Sequence, residues 1–178
     1  SVAIDSSDNI FVVGKTSSAG GGSSDVLLAR YNASGAIQWQ RTLGWTSADD
    51  GNAVAIGSGN YIYLVGVTAS ESAGGNDLLV AKYSYAGVIQ WQRALGIGTG
   101  DIDVAKSVAI DSNDNVYCFG YSQTQGAGAY DFLLAKYNSA GSIQWQRVLG
   151  GTGYELGGGI AIDSADNVYV TGTDGSSN

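Results

Sequence analysis

Ile37-Gln38-Trp39-Gln40-Arg41 is written three times in this chain, returning at Ile89 to Arg93 and at Ile143 to Arg147, so that Trp39, Trp91 and Trp145 step by 52 and 54 residues. Upstream of each copy, Asp25, Asp77 and Asp131 open an apolar run that ends in Arg30-Tyr31, Lys82-Tyr83 or Lys136-Tyr137. Further upstream, Val2-Ala3-Ile4-Asp5 returns as Val54-Ala55-Ile56-Gly57, Val108-Ala109-Ile110-Asp111 and Ile160-Ala161-Ile162-Asp163. The 178 residues therefore hold three complete units and the first third of a fourth. A fixed period of about 50 residues marks a repeat architecture, in which each unit buries its apolar face against its neighbours.

Each unit carries four strand signals. The first is short (Val2 to Ile4), and the second (Ile10 to Gly14) has an aromatic at one fixed place, Phe11, Tyr63, Tyr117 and Tyr169 in turn. The third is Val26 to Tyr31 and the fourth Ile37 to Leu43. The first three are near-continuous runs of Val, Ile, Leu and aromatics, the pattern of strands covered on both faces. The fourth alternates, with Ile37, Trp39 and Leu43 on one side and Gln38, Gln40 and Thr42 on the other, which is a half-exposed strand. Asp5-Ser6-Ser7-Asp8-Asn9 and Asn32-Ala33-Ser34-Gly35 have tight-turn chemistry, whereas Lys15 to Ser24 and Gly44 to Asn52 are long, Gly-rich links. The expectation is an all-β fold, a partial β-propeller of four-stranded antiparallel blades with the strands ordered from inside to outside. Residues 1–52, 53–106 and 107–158 form three blades, and 159–178 supply the first two strands of a fourth. A β-solenoid is the alternative, but its coils are shorter and need no tight antiparallel turns.

Composition narrows the function. Gly numbers 28, Pro and His are absent, and the single Cys, Cys118, can make no intrachain disulfide. Without His there is no His-based triad and no imidazole ligand. A net charge of −8 repels phosphate backbones and anionic headgroups, so neither nucleic acid nor membrane insertion is expected. With 44% hydrophobic residues the chain can bury a core.

At Asp-x-x-Asp-Asn-x-Tyr-Val-x-Gly, then Asp-x-x-x-Ala-Lys-Tyr-Asn-x-x-Gly-x-Ile-x-Trp and Leu-Gly-Gly-x-Gly, the chain resembles the bacterial seven-bladed propeller repeat known as SBBP, and it is similar to kelch repeats in strand order. The resemblance covers essentially the whole chain. It implies secreted, cell-surface or virion structural proteins and supplies no shared catalytic residues. Repeat two departs from the pattern, with Gly57, Asn60 and Tyr61 where the others have Asp, Asp and Asn.

Strand parity puts both long links of every unit on one face and both tight turns on the other. The spacing between repeats varies only within Gly96 to Ser107, on the long-link face, and variable loops over a constant scaffold are where binding resides. That face also collects acids: Asp25, Asp77 and Asp131 at one position, Asp49, Asp103 and Glu155 at another. They cap their own Gly-rich loops through backbone N–H groups, with a cation or sugar hydroxyls as the alternative. The candidate ligand-binding set is Trp45, Asp49, Asp103, Tyr130, Tyr154 and Glu155, combining non-repeating aromatics with carboxylates. No catalytic residue, metal ligand or cofactor is assigned, calcium being the alternative that the carboxylates offer.

Other features read as structural. The turn Asp111 to Asn115 lacks the Gly and the distal acid of a calcium loop and is a hairpin turn. Trp39, Trp91 and Trp145 pack between blades. The bases Arg30/Arg41, Lys82/Arg93 and Lys136/Arg147 pair across their hairpins or with nearby acids. Cys118 is a small buried hydrophobe. The expected role is a non-enzymatic scaffold for protein or glycan recognition. The alternatives are a lectin-like module, a glycoside-cleaving propeller using paired carboxylates, and a purely structural self-assembling subunit. An incomplete ring leaves apolar faces bare, so the chain is expected to be part of a longer ring or to self-associate, and not to be a well-behaved monomer.

Overall fold

In the computed structural model the described residues are 1–70, 75–96, 100–123 and 128–175. Fourteen strands and one 3-10 turn (Ser58–Asn60) make up the described regular structure. β1 (Val2–Ile4), β2 (Ile10–Thr16), β3 (Asp25–Tyr31) and β4 (Ile37–Leu43) form the first sheet. β5 (Asp49–Ile56), β6 (Ile62–Thr68), β7 (Asp77–Tyr83) and β8 (Ile89–Leu95) form the second. The third comprises β9 (Asp103–Ile110), β10 (Val116–Ser122), β11 (Asp131–Tyr137) and β12 (Ile143–Leu149), and β13 (Glu155–Ile162) pairs with β14 (Val168–Asp174) alone. Every pairing is antiparallel between neighbours in sequence. The strands β1, β5, β9 and β13 touch one another in succession, so they are the inner strands of four radial blades. The all-β propeller architecture of three blades and a partial fourth is as the repeat spacing predicts.

The first strand of each later blade starts at Asp49, Asp103 or Glu155, four residues before the boundaries of 53, 107 and 159 read from the sequence. A β-bulge explains the difference. The register shifts between Gly51 and Ala53, between Ala105 and Ser107 opposite Phe119/Gly120, and between Gly157 and Gly159. Asn52, Lys106 and Gly158 are thus extra residues that break the two-residue period and hide the start of the strand.

Burial peaks where two blades meet. Phe11, Val13, Val26 and Leu28 of the first blade pack on Val54, Ile62, Leu64, Leu79 and Ala81 of the second. The other face of the second blade, with Tyr63, Val65, Leu78 and Val80, packs on Val116, Cys118, Leu133 and Ala135 of the third. Cys118 is fully buried, as its apolar neighbours in the strand suggest, and burial pushes its thiol pKa up. The outer strands are mostly exposed, and their tryptophans latch onto the next blade. Trp39 Nε1 donates to Tyr85 O (3.1 Å) and Arg41 Nε to Gly87 O (2.8 Å); Trp91 Nε1 and Arg93 Nε repeat this on Ser139 O and Gly141 O. Gly87 and Gly141 have φ of +74° and +78°, and a Cβ on either would press into the Trp39 or Trp91 ring. Turn geometry and ring seat thus both require glycine there.

Candidate functional site

The two long links meet between blades. Short parallel bridges join Ser24 to Ala48, Asn76 to Ile102 and Tyr130 to Tyr154. At each, the N–H that opens the next inner strand donates to the earlier link: Asp49 to Ser24 O (2.8 Å), Asp103 to Asn76 O (2.6 Å) and Glu155 to Tyr130 O (2.8 Å). The third strand of one blade and the first strand of the next therefore begin side by side on one face. The segment Gly96 to Ser107, where the repeat length changes, lies there too, although residues 97–99 fall outside the described residues.

Each of these starting points is a carboxylate. Asp25 lies beside Asp49, Asp77 belongs to the same place as Asp103 in the next unit, and Asp131 lies beside Glu155. The distances are set by the glycine between them. A Cβ on Gly44 would collide with Asp25 Oδ1 and stand 2.9 Å from Asp49 Oδ2, and one on Gly150 would collide with Asp131 Oδ1 and stand 2.6 Å from Glu155 Oε2. All six acids are buried. Part of the hydrogen bonding is loop capping: Trp45 N–H and the Ser70 hydroxyl donate to Asp49 Oδ2 (3.1 and 2.7 Å), Gly22 N–H donates to Asp25 Oδ2 (3.4 Å), and Gly151 N–H donates to Glu155 Oε2 (3.1 Å). Other oxygens of the first and third pairs stay open. Asp25 Oδ1, Asp49 Oδ1, both oxygens of Asp131 and Glu155 Oε1 are buried with no hydrogen-bond partner.

The aromatic candidates divide. Trp45 is half-buried and packs against the first core cluster. Tyr130 and Tyr154 come together, with ring centroids 5.7 Å apart, and Tyr121 closes on Tyr130 edge-on at 5.2 Å. Tyr121 escaped the sequence reading because it sits inside a strand; its only signal is an aromatic where Lys15, Val67 and Thr173 stand in the other units. Tyr154 is 57% exposed. Beside it a cleft of about 330 Å³ is lined by Phe132, Leu149, Gly150, Gly151, Glu155 and Asp174. The predicted set thus becomes two different places: an exposed tyrosine group with a cleft, and buried acid pairs at blade junctions that include Asp49, Asp103 and Glu155.

A family model described as a β-propeller repeat (SBBP) matches residues 90–125 and 144–173, and a second, a β-propeller domain of unknown function (DUF5122), matches residues 6–37. The chain is built of β-propeller repeats. Among curated proteins, the propeller is similar to an uncharacterized WD repeat-containing protein, L264, of Acanthamoeba polyphaga mimivirus, at 32% identity over 90 residues, 42% of this chain and 6% of that protein. It is also similar to the regulatory protein FlaEY of Caulobacter vibrioides, at 28% identity over 173 residues, 85% of this chain and 18% of that protein. The propeller spans less than a fifth of either relative.

The opposite face of the propeller is built from turns that are internally satisfied. Asp111 accepts the Asn113 and Asn115 N–H groups and the Asn115 amide, and it pairs with Lys136 Nζ at 3.3 Å. This is a hairpin turn with its carboxylate spoken for. Burial works to raise the Asp111 pKa, but these donors outweigh it and hold the carboxyl below its ordinary value. Neighbouring turns are stitched together: Asp114 accepts from Ser58 of the preceding blade, and Asp166 from Ser112 (2.6 Å from its hydroxyl). The bases do not follow one rule. Lys136 finds an acid, whereas Arg41 and Arg93 go to backbone carbonyls, and Arg30 lies 3.7 Å over the Tyr85 ring and donates to its hydroxyl. Repeat two shows why: with Gly57 in place of Asp, Lys82 lies 4.0 Å over the Tyr61 ring and donates to Ser139 O.

Proposed function

We propose that this propeller is a non-enzymatic recognition scaffold that holds a protein partner on the face where the long links meet. The observation that carries the reading is the Tyr121–Tyr130–Tyr154 group beside its cleft, the one place on that face where non-repeating aromatics gather among the described residues. Tyrosines presenting rigid, amphipathic area are the usual anchors of protein recognition. The surroundings favour a protein over a glycan. Leu149 and Leu156 are exposed there, while Asp49 and Asp103, which a sugar's hydroxyls or a glycosidic bond would have to reach, are buried. The similarity to a regulatory protein and to a WD repeat-containing protein supports partner binding in general. The family resemblance supports an extracellular, cell-surface or virion setting. Peptide-display selection against the chain, with a glycan array in parallel, tests the reading. Selected peptides should bind at least about tenfold more weakly to Tyr154→Ala, the size of a modest hot spot. Selected ligands indifferent to Tyr154→Ala and Tyr130→Ala, or binding to glycans alone, would overturn it.

A second part of the proposal concerns the open faces. Val2 and Val12 on the first blade, and Tyr169 and Val170 on the last, are exposed, although their counterparts Val54, Leu64, Tyr63 and Cys118 are buried between blades. These faces are covered by further blades, in the same chain or in a second copy.

A further inference from the structure

We propose that the blade junctions are divalent-cation sites, with calcium the best fit, held by Asp25 and Asp49 at the first junction and by Asp131 and Glu155 at the third. Two observations point there independently. One is position: carboxylates from consecutive blades flank the same glycine, within reach of a single ion between Asp25 Oδ1 and Asp49 or between Asp131 Oδ1 and Glu155. The other is unmet demand. Asp25 is 1% exposed and Asp49 and Asp131 are 0% exposed, yet each keeps at least one oxygen with no donor, and Asp131 keeps two.

A buried carboxylate without a partner costs several kcal/mol of lost hydration, and two side by side add repulsion. Among the described residues no ion pair relieves them. Among the described residues the ion pairs are Lys15 with Asp50 and Lys136 with Asp111, neither of which involves these acids. Capping explains the Oδ2 atom of Asp49 and the Oε2 atom of Glu155, and leaves the partner oxygens unexplained. Among the described residues no three acidic or Cys side chains converge, so the protein would supply two carboxylates per ion. The remaining ligands would be carbonyls of the Gly-rich links and water. A hard, all-oxygen set of that kind suits calcium, which accepts irregular geometry, better than magnesium, and suits neither zinc nor copper. The ion would tie the third strand of one blade to the first strand of the next, so its role is to clamp neighbouring blades.

Terbium, a calcium mimic, provides the direct test. Trp45 donates its backbone N–H to Asp49, so its indole lies close enough to sensitise an ion at the first junction. Tryptophan-excited terbium emission should appear on adding terbium to the chain, fall on adding excess calcium, and be lost in the Asp25→Asn, Asp49→Asn double variant. Melting in millimolar calcium should exceed melting in EDTA by about 5 °C or more, and magnesium should do less. The Asp131→Asn, Glu155→Gln variant, folded by circular dichroism, should keep the Trp45 signal but lose part of the calcium shift. No terbium emission together with identical melting in EDTA and calcium would overturn the proposal, and so would emission that survives in the Asp25→Asn, Asp49→Asn variant.

Discussion

Tyr63 and Tyr117 occupy the same place in successive repeats, and the structure predicts opposite responses to losing the same atom. Tyr117 OH lies 3.3 Å from Asp111 Oδ2, and Tyr169 OH lies 3.1 Å from Asp163 Oδ2. In repeat two the acceptor is missing because Gly57 replaces the aspartate. Tyr63 is 0% exposed, its hydroxyl has no hydrogen-bond partner, and burial pushes its pKa up. The aspartate has no room to return, because a Cβ on Gly57 would stand 2.7 Å from both Asp114 Oδ1 and the Tyr63 ring. A buried hydroxyl left unpaired costs about 1–3 kcal/mol, and the small void left by deleting it costs about a few tenths. Tyr63→Phe should therefore stabilise the chain by roughly 1–2 kcal/mol, or about 2–8 °C in Tm for a chain of this size. Phe11, at the equivalent place in the first blade, shows that the site accepts a phenyl ring. Tyr117→Phe gives up a long hydrogen bond to a charged acceptor and should lose roughly 1 kcal/mol. Urea and thermal melts of both variants, at one protein concentration, measure the difference. A Tyr63→Phe loss as large as that of Tyr117→Phe would mean instead that the Tyr63 hydroxyl is satisfied in solution.

Gly141→Ala meets both a φ of +78° and the Trp91 ring 2.7 Å away, whereas Gly35→Ala meets a φ of +80° and open space; thermal melts should show a loss of about 1–2 kcal/mol at Gly35 and clearly more at Gly141. Asp5, Asp111 and Asp163 all have depressed carboxyl pKa values, Asp163 at about 2 through Asn167 and its other donors. A depressed folded pKa gives stability that is complete above the unfolded value and is lost as pH falls through the folded one. Tm should thus be level from neutrality to about pH 5 and decline towards about pH 2, and a rise over that range would contradict the hydrogen-bond assignments. With Val2 60%, Leu149 71% and Tyr169 58% exposed, sedimentation of the isolated chain should show species above the 18.2 kDa monomer, and a single compact monomer would contradict the open-face reading.

The sequence carried the repeat frame in full, because the frame is written in what each unit shares. Recurrence of Trp39, Trp91 and Trp145 on an alternating strand already implied a seat between blades, and parity already put the long links together. The bulges were hidden, since Asn52, Lys106 and Gly158 are chemically unlike and break the alternation that marks a strand. Partners in the next blade were hidden too. Spacing places Lys82 and Lys136 alike within their units, yet the first reaches a carbonyl of the next blade and the second a carboxylate, depending on whether the unit's first turn presents Gly57 or Asp111. For the candidate site, Asp49, Asp103 and Glu155 were found by recurrence, but their burial was not legible, because a carboxylate at the end of a Gly-rich link reads as exposed. Tyr121 was concealed by its place in a strand.

The long links of consecutive repeats lie together on one face, and a disulfide trap reports that proximity in solution. With Cys118 replaced by Ala, Ser24→Cys and Ala48→Cys introduce thiols on the two residues bridged between the first and second blades. An intramolecular disulfide should form readily between them, and none between Ser6→Cys and Ala48→Cys, which belong to opposite faces. Failure of the first pair to close, with closure of the second, would contradict the arrangement on which the recognition face and the junctional cation sites both stand.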